Sequence, residues 1–218
     1  MHRAGSDYLA SLLPQARIEA QGLQQCPEIE LFLINADYPR QKLAGDVAER
    51  LMQSPPYWAF CWASGQVLAR YLLDHPHWVR GRRVLDFGAG SGVVGIAAAL
   101  AGAAQVTCCD LDPRARAIAL DNARRNGVEL AVCEDLPAGE RYHLITAADV
   151  LYDRDNLPLV AALQARGDTL LLADSRLREL PLAGFAEIGA FAGSTWPDLD
   201  ESAEFNRVRL FCAGAARP

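Results

Sequence analysis

Val84-Leu85-Asp86-Phe87-Gly88-Ala89-Gly90-Ser91-Gly92 is the stretch on which the fold turns. A short strand-like run meets three glycines at alternate positions, and an apolar segment over 93–101 reads as a helix. Outward from it the alternation continues. Strands are predicted at 105–109, 130–133, 143–147 and 169–173, with helices at 65–74, 113–126 and 156–165. Ser64 and Asp112 are the expected caps of the helices that follow them, and Pro113 sits in a first turn. Two more strands, 185–191 and 205–212, are joined by a polar loop. Strands alternating with helices specify a parallel sheet covered on both faces, and the last pair adds an antiparallel edge. The fold class is α/β, a Rossmann-like, mostly parallel seven-stranded sheet with an antiparallel edge strand, helices on both faces and an N-terminal helical extension. In that extension, 7–24 and 42–53 have helical spacing, 28–34 reads as a strand, and Pro55-Pro56 breaks the second helix. We expect one domain over 1–218, with 1–63 as a helical and strand extension and 64–218 as the core.

Alternating glycines between a strand and a helix let a ligand approach the backbone and leave amides free at the helix N-terminus. Two ligands compete for the loop. Gly90-Ser91-Gly92-Val93-Val94-Gly95 matches the GxGxxG dinucleotide fingerprint. Asp86, two residues before Gly88, would repel a pyrophosphate but suit a ligand carrying an ammonium and a sulfonium, as S-adenosylmethionine (SAM) does. The expected SAM contacts are Asp86, Gly88, Gly90 and Gly92. Asp110, 20 residues after Gly90, is placed to accept ribose hydroxyls, which fits either cofactor. In Glu134-Asp135-Leu136, Asp135 is the expected acceptor for the adenine amino group, with Glu134 competing; Leu136 belongs to the same wall.

Beyond the fourth strand of this series comes Asp149-Val150-Leu151-Tyr152. Ligands of open parallel sheets bind at the carboxyl ends of the strands, so this segment should face the reacting group. The spacing of strand, acid and three glycines resembles motif I of the seven-strand methyltransferases, and Asp149-x-x-Tyr152 resembles a signature of their protein-lysine methyltransferases. The aromatic block from Pro56 to Gln66, with Tyr71 to Asp74 and Val79 to Gly81, is similar to the electron transfer flavoprotein β-subunit lysine methyltransferase family. Bacterial relatives of that family carry nicotinamide N-methyltransferase-like labels. The resemblance covers about 55–175. It implies SAM as cofactor, a protein-lysine substrate such as that flavoprotein subunit, Asp149 and Tyr152 as catalytic residues, and Trp62 against the cofactor. Two positions depart from the family pattern. Ala63-Ser64 stands where Pro-Gly is usual, and Ala173-Asp174-Ser175-Arg176 where Gly-Asp-Pro-Gly-Arg is usual. The alternatives are a small-molecule N-methyltransferase, an NAD-dependent oxidoreductase and a SAM-binding module without catalysis.

Composition narrows the setting. With 51% hydrophobic and 22% charged residues, the chain can build a full core, and its net charge of -6 offers no basic field for nucleic acid. The six cysteines form no CxxC pair and the four histidines no HExxH, so no metal is expected. His75-Pro76-His77 reads as a surface turn. After Met1-His2-Arg3 no apolar stretch follows, and none elsewhere reaches the roughly 20 residues a membrane span needs. We therefore expect a cytoplasmic protein with reduced cysteines and no membrane partner. Four acids between the last two strands, Asp198, Asp200, Glu201 and Glu204, would either draw in a basic protein surface, with Trp196 as an apolar contact, or keep a sheet edge soluble.

Overall fold

A computed structural model describes residues 3–13, 15–38, 51, 53–151, 156–177, 180, 182–199, 202 and 206–214. Seven strands form the central sheet: β3 (Arg83–Phe87), β4 (Gln105–Cys109), β5 (Ala131–Cys133), β6 (Tyr142–Ala148), β7 (Gly167–Asp174), β8 (Phe185–Ala192) and β9 (Arg207–Gly214). Their spatial order is β5-β4-β3-β6-β7-β9-β8. The five strands from β5 to β7 pair in parallel, and β9 runs antiparallel to both β7 and β8. The later strand of the final hairpin thus inserts beside β7, leaving β8 at the edge. Burial explains the choice. In β9, Val208 and Leu210 to Ala213 are buried, whereas most of β8 is exposed.

The strand order reverses between β3 and β6, which opens a crevice at their carboxyl ends. Successive residues of the central strands feed opposite layers. Val84, Leu144 and Leu171 pack with α2 (Ala63–Asp74) and α3 (Val93–Leu100), while Leu85, Ile145, Leu170 and Leu172 meet Val160 and Leu163 of α5 (Leu157–Gln164). Helix α4 (Pro113–Arg125) starts as expected, with the Asp112 carboxylate accepting the Arg114 amide.

The N-terminal extension differs from its sequence reading. Helix α1 (Arg3–Leu12) ends early, and β1 (Ile18–Gly22) pairs antiparallel with β2 (Glu30–Ile34). Leu31 and Leu33 of β2 are buried, and Asn122 of α4 and Asn126 just after it accept the β2 amides of Phe32 and Glu30. Once β2 is anchored there, its free edge recruits 18–22 as a strand, and pairing overrides the weak helical preference of that segment. The expected helix over 42–53 falls largely outside the described residues. His75 precedes the short turn Pro76–Trp78 and His77 lies within it, a turn as read from the sequence.

Candidate active site

The glycine loop folds back on β4. The Gly88 and Ala89 amides both donate to the Cys109 carbonyl, at 2.9 and 3.1 Å. Gly90 has φ +52°, and a Cβ built there would meet nothing within 4 Å, because it would project into open space. Gly92 has φ +81° and caps α3; a Cβ there would lie 2.9 Å from that of Ala119. The third glycine therefore serves helix packing, and Gly92 does not line the crevice.

That crevice is a cavity of about 490 Å³ over the carboxyl ends of the strands. Gly88 and Gly90 form its floor with Phe87 and Asp110, and Trp62 and Tyr57 rise on one side. Asp110 Oδ2 accepts the Gly90 amide at 2.8 Å and Oδ1 the Asp112 amide at 3.0 Å. These bonds tie the end of β4 to the glycine loop. Burial raises the Asp110 carboxyl above its ordinary range, and the two amides oppose that rise. Leu111, 76% exposed, overhangs the same wall. Sequence reasoning missed it; an apolar residue between Asp110 and Asp112 was the available signal.

Asp86 is not in the wall. It is buried beneath the loop, where Oδ2 accepts the Gly95 amide at 3.0 Å and Oδ1 the Thr146 hydroxyl at 3.0 Å. This corrects its expected role as a direct ligand contact. Its carboxylate occupies an amide in the first turn of α3, a donor that an anion would otherwise find. Burial pushes its pKa up to about 7.

Glu134 and Asp135 both line the cavity. Glu134 pairs with Arg116 at 3.3 Å, while Asp135 Oδ1 accepts the Leu136 amide at 2.7 Å. Leu136 itself packs against the second core layer and is absent from the cavity wall. The Trp62 ring N–H donates to the Tyr57 carbonyl at 2.9 Å, and the Tyr57 and Phe60 rings stand 5.8 Å away.

Asp149 follows β6 with φ +51°, a left-handed conformation that aspartate tolerates better than most residues. Its side chain reaches the start of α2 and the segment after β7. Oδ1 accepts the Ser64 hydroxyl at 2.7 Å, the Ser175 hydroxyl at 3.0 Å and the Ser175 amide at 3.2 Å. Oδ2 accepts the Ser64 amide at 3.3 Å. Ser64 is therefore no cap: Trp62 occupies that position without a side-chain bond, and the serine hydroxyl goes to Asp149. Burial raises the Asp149 carboxyl, and these four donors oppose the rise. Asp174, also on the wall, is pushed up to about 6 by burial and by the neighbouring Asp149 charge. Tyr152 lies outside the described residues.

The polypeptide 193–199 closes the remaining side. Cys61 and Trp196 exchange two backbone hydrogen bonds, at 2.7 and 2.8 Å, and Thr195 joins the cavity wall. Trp196 is half-buried against the first core layer, so it is not the free apolar contact expected of it. Asp198 is exposed, whereas Asp200, Glu201 and Glu204 lie outside the described residues.

Among the described wall residues are six acids, Asp110, Asp112, Glu134, Asp135, Asp149 and Asp174, against the single basic residue Arg176. That charge pattern disfavours a pyrophosphate and suits a cationic ligand. The ribosomal protein L11 methyltransferase family matches residues 70–152. Electron transfer flavoprotein beta subunit lysine methyltransferase from Rattus norvegicus is 37% identical over 157 residues, 68% of this chain and 60% of that protein. The ribosomal protein L11 methylase of Lactobacillus delbrueckii superposes with TM-score 0.53 at 20% identity, covering 70% of this chain and 79% of that one. The chain has the fold of the seven-strand methyltransferases. It spans between 50% and 60% of the length of the mammalian lysine methyltransferases it matches. Another chain of this fold, described as a methyltransferase and solved in complex with SAH, superposes with TM-score 0.52 at 12% identity, over 69% of this chain and 49% of that one. SAM fits the residues present. Gly90 leaves room at the loop, Asp110 retains lone pairs for hydroxyl donors, and the acidic wall accommodates a sulfonium. Among the described residues no cluster of three or more His, Cys, Asp or Glu side chains is placed to hold a metal.

Proposed function

We propose that this chain is a SAM-dependent N-methyltransferase acting on protein lysine. The observation that carries the reading is Asp149, a carboxylate at the end of β6, on the wall of an acidic cavity that also contains the glycine loop and Asp110. SAM, held by Gly88, Gly90, Asp110 and the Glu134-Asp135 wall with Trp62 beside it, supplies an activated methyl on a sulfonium. The residues of this chain then have three tasks: to bind the amine, to align it, and to exclude water. Lysine has a pKa of about 10.4, so presenting it neutral at pH 7 costs about 4–5 kcal/mol. Asp149 attracts the ammonium into the site and orients it; as a carboxylate it stabilises the charged form, so it is a docking group more than a base. Tyr152, three positions on in the sequence, is assigned to the lysine stem and amine. The proton leaves to water.

The electron transfer flavoprotein β-subunit, named in the rat relative, is the first substrate to try. We place the protein in the cytoplasm, where cysteines persist reduced. No helix among the described residues is long and apolar enough to cross a membrane. Incubation with methyl-labelled SAM and cell lysate tests the assignment. Label on lysine of one or a few proteins is expected. Label found only in the small-molecule fraction would replace the protein substrate with a small amine. Calorimetric binding of NAD without binding of SAM would reject the cofactor.

A further inference from the structure

Ser64 and Ser175, one from each of the two segments in which the sequence leaves the family pattern, meet on one oxygen. They come from the first turn of α2 and from the end of β7, 111 positions apart in the chain, and both hydroxyls donate to Asp149 Oδ1. The Ser175 amide adds a third donor to the same oxygen, while Oδ2 holds the one long bond from the Ser64 amide. A carboxylate has about four acceptor sites, so this distribution saturates one end and leaves the other electron-rich. The positive φ of Asp149 fixes where its side chain starts, and the serines fix where it ends.

We propose that Ser64 and Ser175 are positioning residues, whose hydroxyls clamp Asp149 Oδ1 so that the carboxylate stays ionised and offers Oδ2 to the substrate amine. The inference rests on the reading of Asp149 given above. Donors to a carboxylate favour its charged form, against a burial that disfavours it. The other charged groups near Asp149 among the described residues are Asp174 at the end of β7, which opposes its ionisation, and Arg176 beyond it. Asp174 Oδ1 accepts the Arg176 and Leu177 amides, at 2.7 and 2.8 Å. The first turn of α2 brings no acid.

The test is a carbon-13 NMR titration of the Asp149 carboxyl, assigned with Asp149→Asn, in the wild type, Ser64→Ala, Ser175→Ala and Ser175→Thr. It needs neither cofactor nor substrate. Each lost hydroxyl should raise the titration midpoint by about one pH unit, a tenfold change in protonation, and Ser175→Thr should restore it. In turnover assays the acid limb of kcat/KM should rise with the midpoint, while the Kd for SAM stays within about twofold. Ser175 is half-buried and outside any strand or helix, so its variants carry the test if Ser64→Ala fails to fold. Midpoints unmoved in the folded alanine variants would overturn the clamp. Midpoints that move without the acid limb would overturn the positioning role. Midpoints that move in the alanine variants, with a wild type that binds SAM but transfers no methyl, would keep the clamp and overturn the methyltransferase reading instead.

Discussion

Replacing Asp86 by Asn should flatten part of the pH dependence of stability. The carboxyl is buried, with a pKa moved from 3.8 to about 7. Between those values the native state keeps a proton that the unfolded chain has released. Stability contributed by Asp86 is therefore present below about pH 4 and is lost as pH rises to about 7. At ~1.4 kcal/mol per pH unit, the three-unit gap amounts to roughly 4 kcal/mol, as an upper bound for one group. Asn keeps the shape. Its carbonyl can accept the Gly95 amide and its NH₂ can donate to Thr146 Oγ, whose hydroxyl then turns to the Leu85 carbonyl, 3.3 Å away. Urea unfolding at pH 5, 6, 7 and 8 measures the effect. The variant should gain on the wild type by 2–4 kcal/mol, at this order of magnitude, between pH 5 and 8. Asp110, Asp149 and Asp174 are also raised, but they are common to both proteins and cancel in the difference. Parallel stability curves would show that Asp86 titrates normally, and the account of it as a buried prop under the glycine loop would fall.

Gly90→Val should abolish SAM binding by calorimetry while leaving the far-UV spectrum native. Its side chain fills the cavity at a positive φ that costs about 1–2 kcal/mol. Asp110→Ala should weaken SAM binding by about 1–3 kcal/mol, because the ribose acceptor and the tie to the Gly90 amide both go; an unchanged Kd would remove Asp110 from the cofactor wall. Asp149→Ala should lose most methyl transfer and keep SAM affinity within a few-fold, and near-normal turnover would exclude it from the mechanism. Neutralising Asp198, Asp200, Glu201 and Glu204 should raise KM for a basic protein substrate, and raise it less at high salt. A KM that does not move at low salt would make the loop a solubility feature.

Some of this was legible from one-dimensional pattern. The run from Val84 to Gly92 announces strand, loop and helix because each needs only local chemistry: strand-forming residues, alternating glycines and an apolar helix. Asp112 and Pro113 announce a helix start for the same reason. Residues 18–22 were not legible, because their pairing with β2 depends on asparagines about 100 positions away, at the C-terminal end of α4.

The sequence by itself determined the alternation of strands and helices, the glycine loop between β3 and α3, and the acids placed after β4, β5 and β6. Only the tertiary structure decided what those acids do. Asp86 and Asp110 stand on either side of one loop, yet the first is buried beneath it and the second faces the cavity. The sense of side-chain alternation at the end of a strand, and the packing behind it, makes that difference, and composition carries neither. Ser64 had the right residue type at the right place for a helix cap. The helix starts at Ala63, one residue before it, which puts Ser64 inside the first turn, where its hydroxyl donates to the Asp149 carboxylate at 2.7 Å, a contact that only the tertiary meeting of α2 with the end of β6 creates.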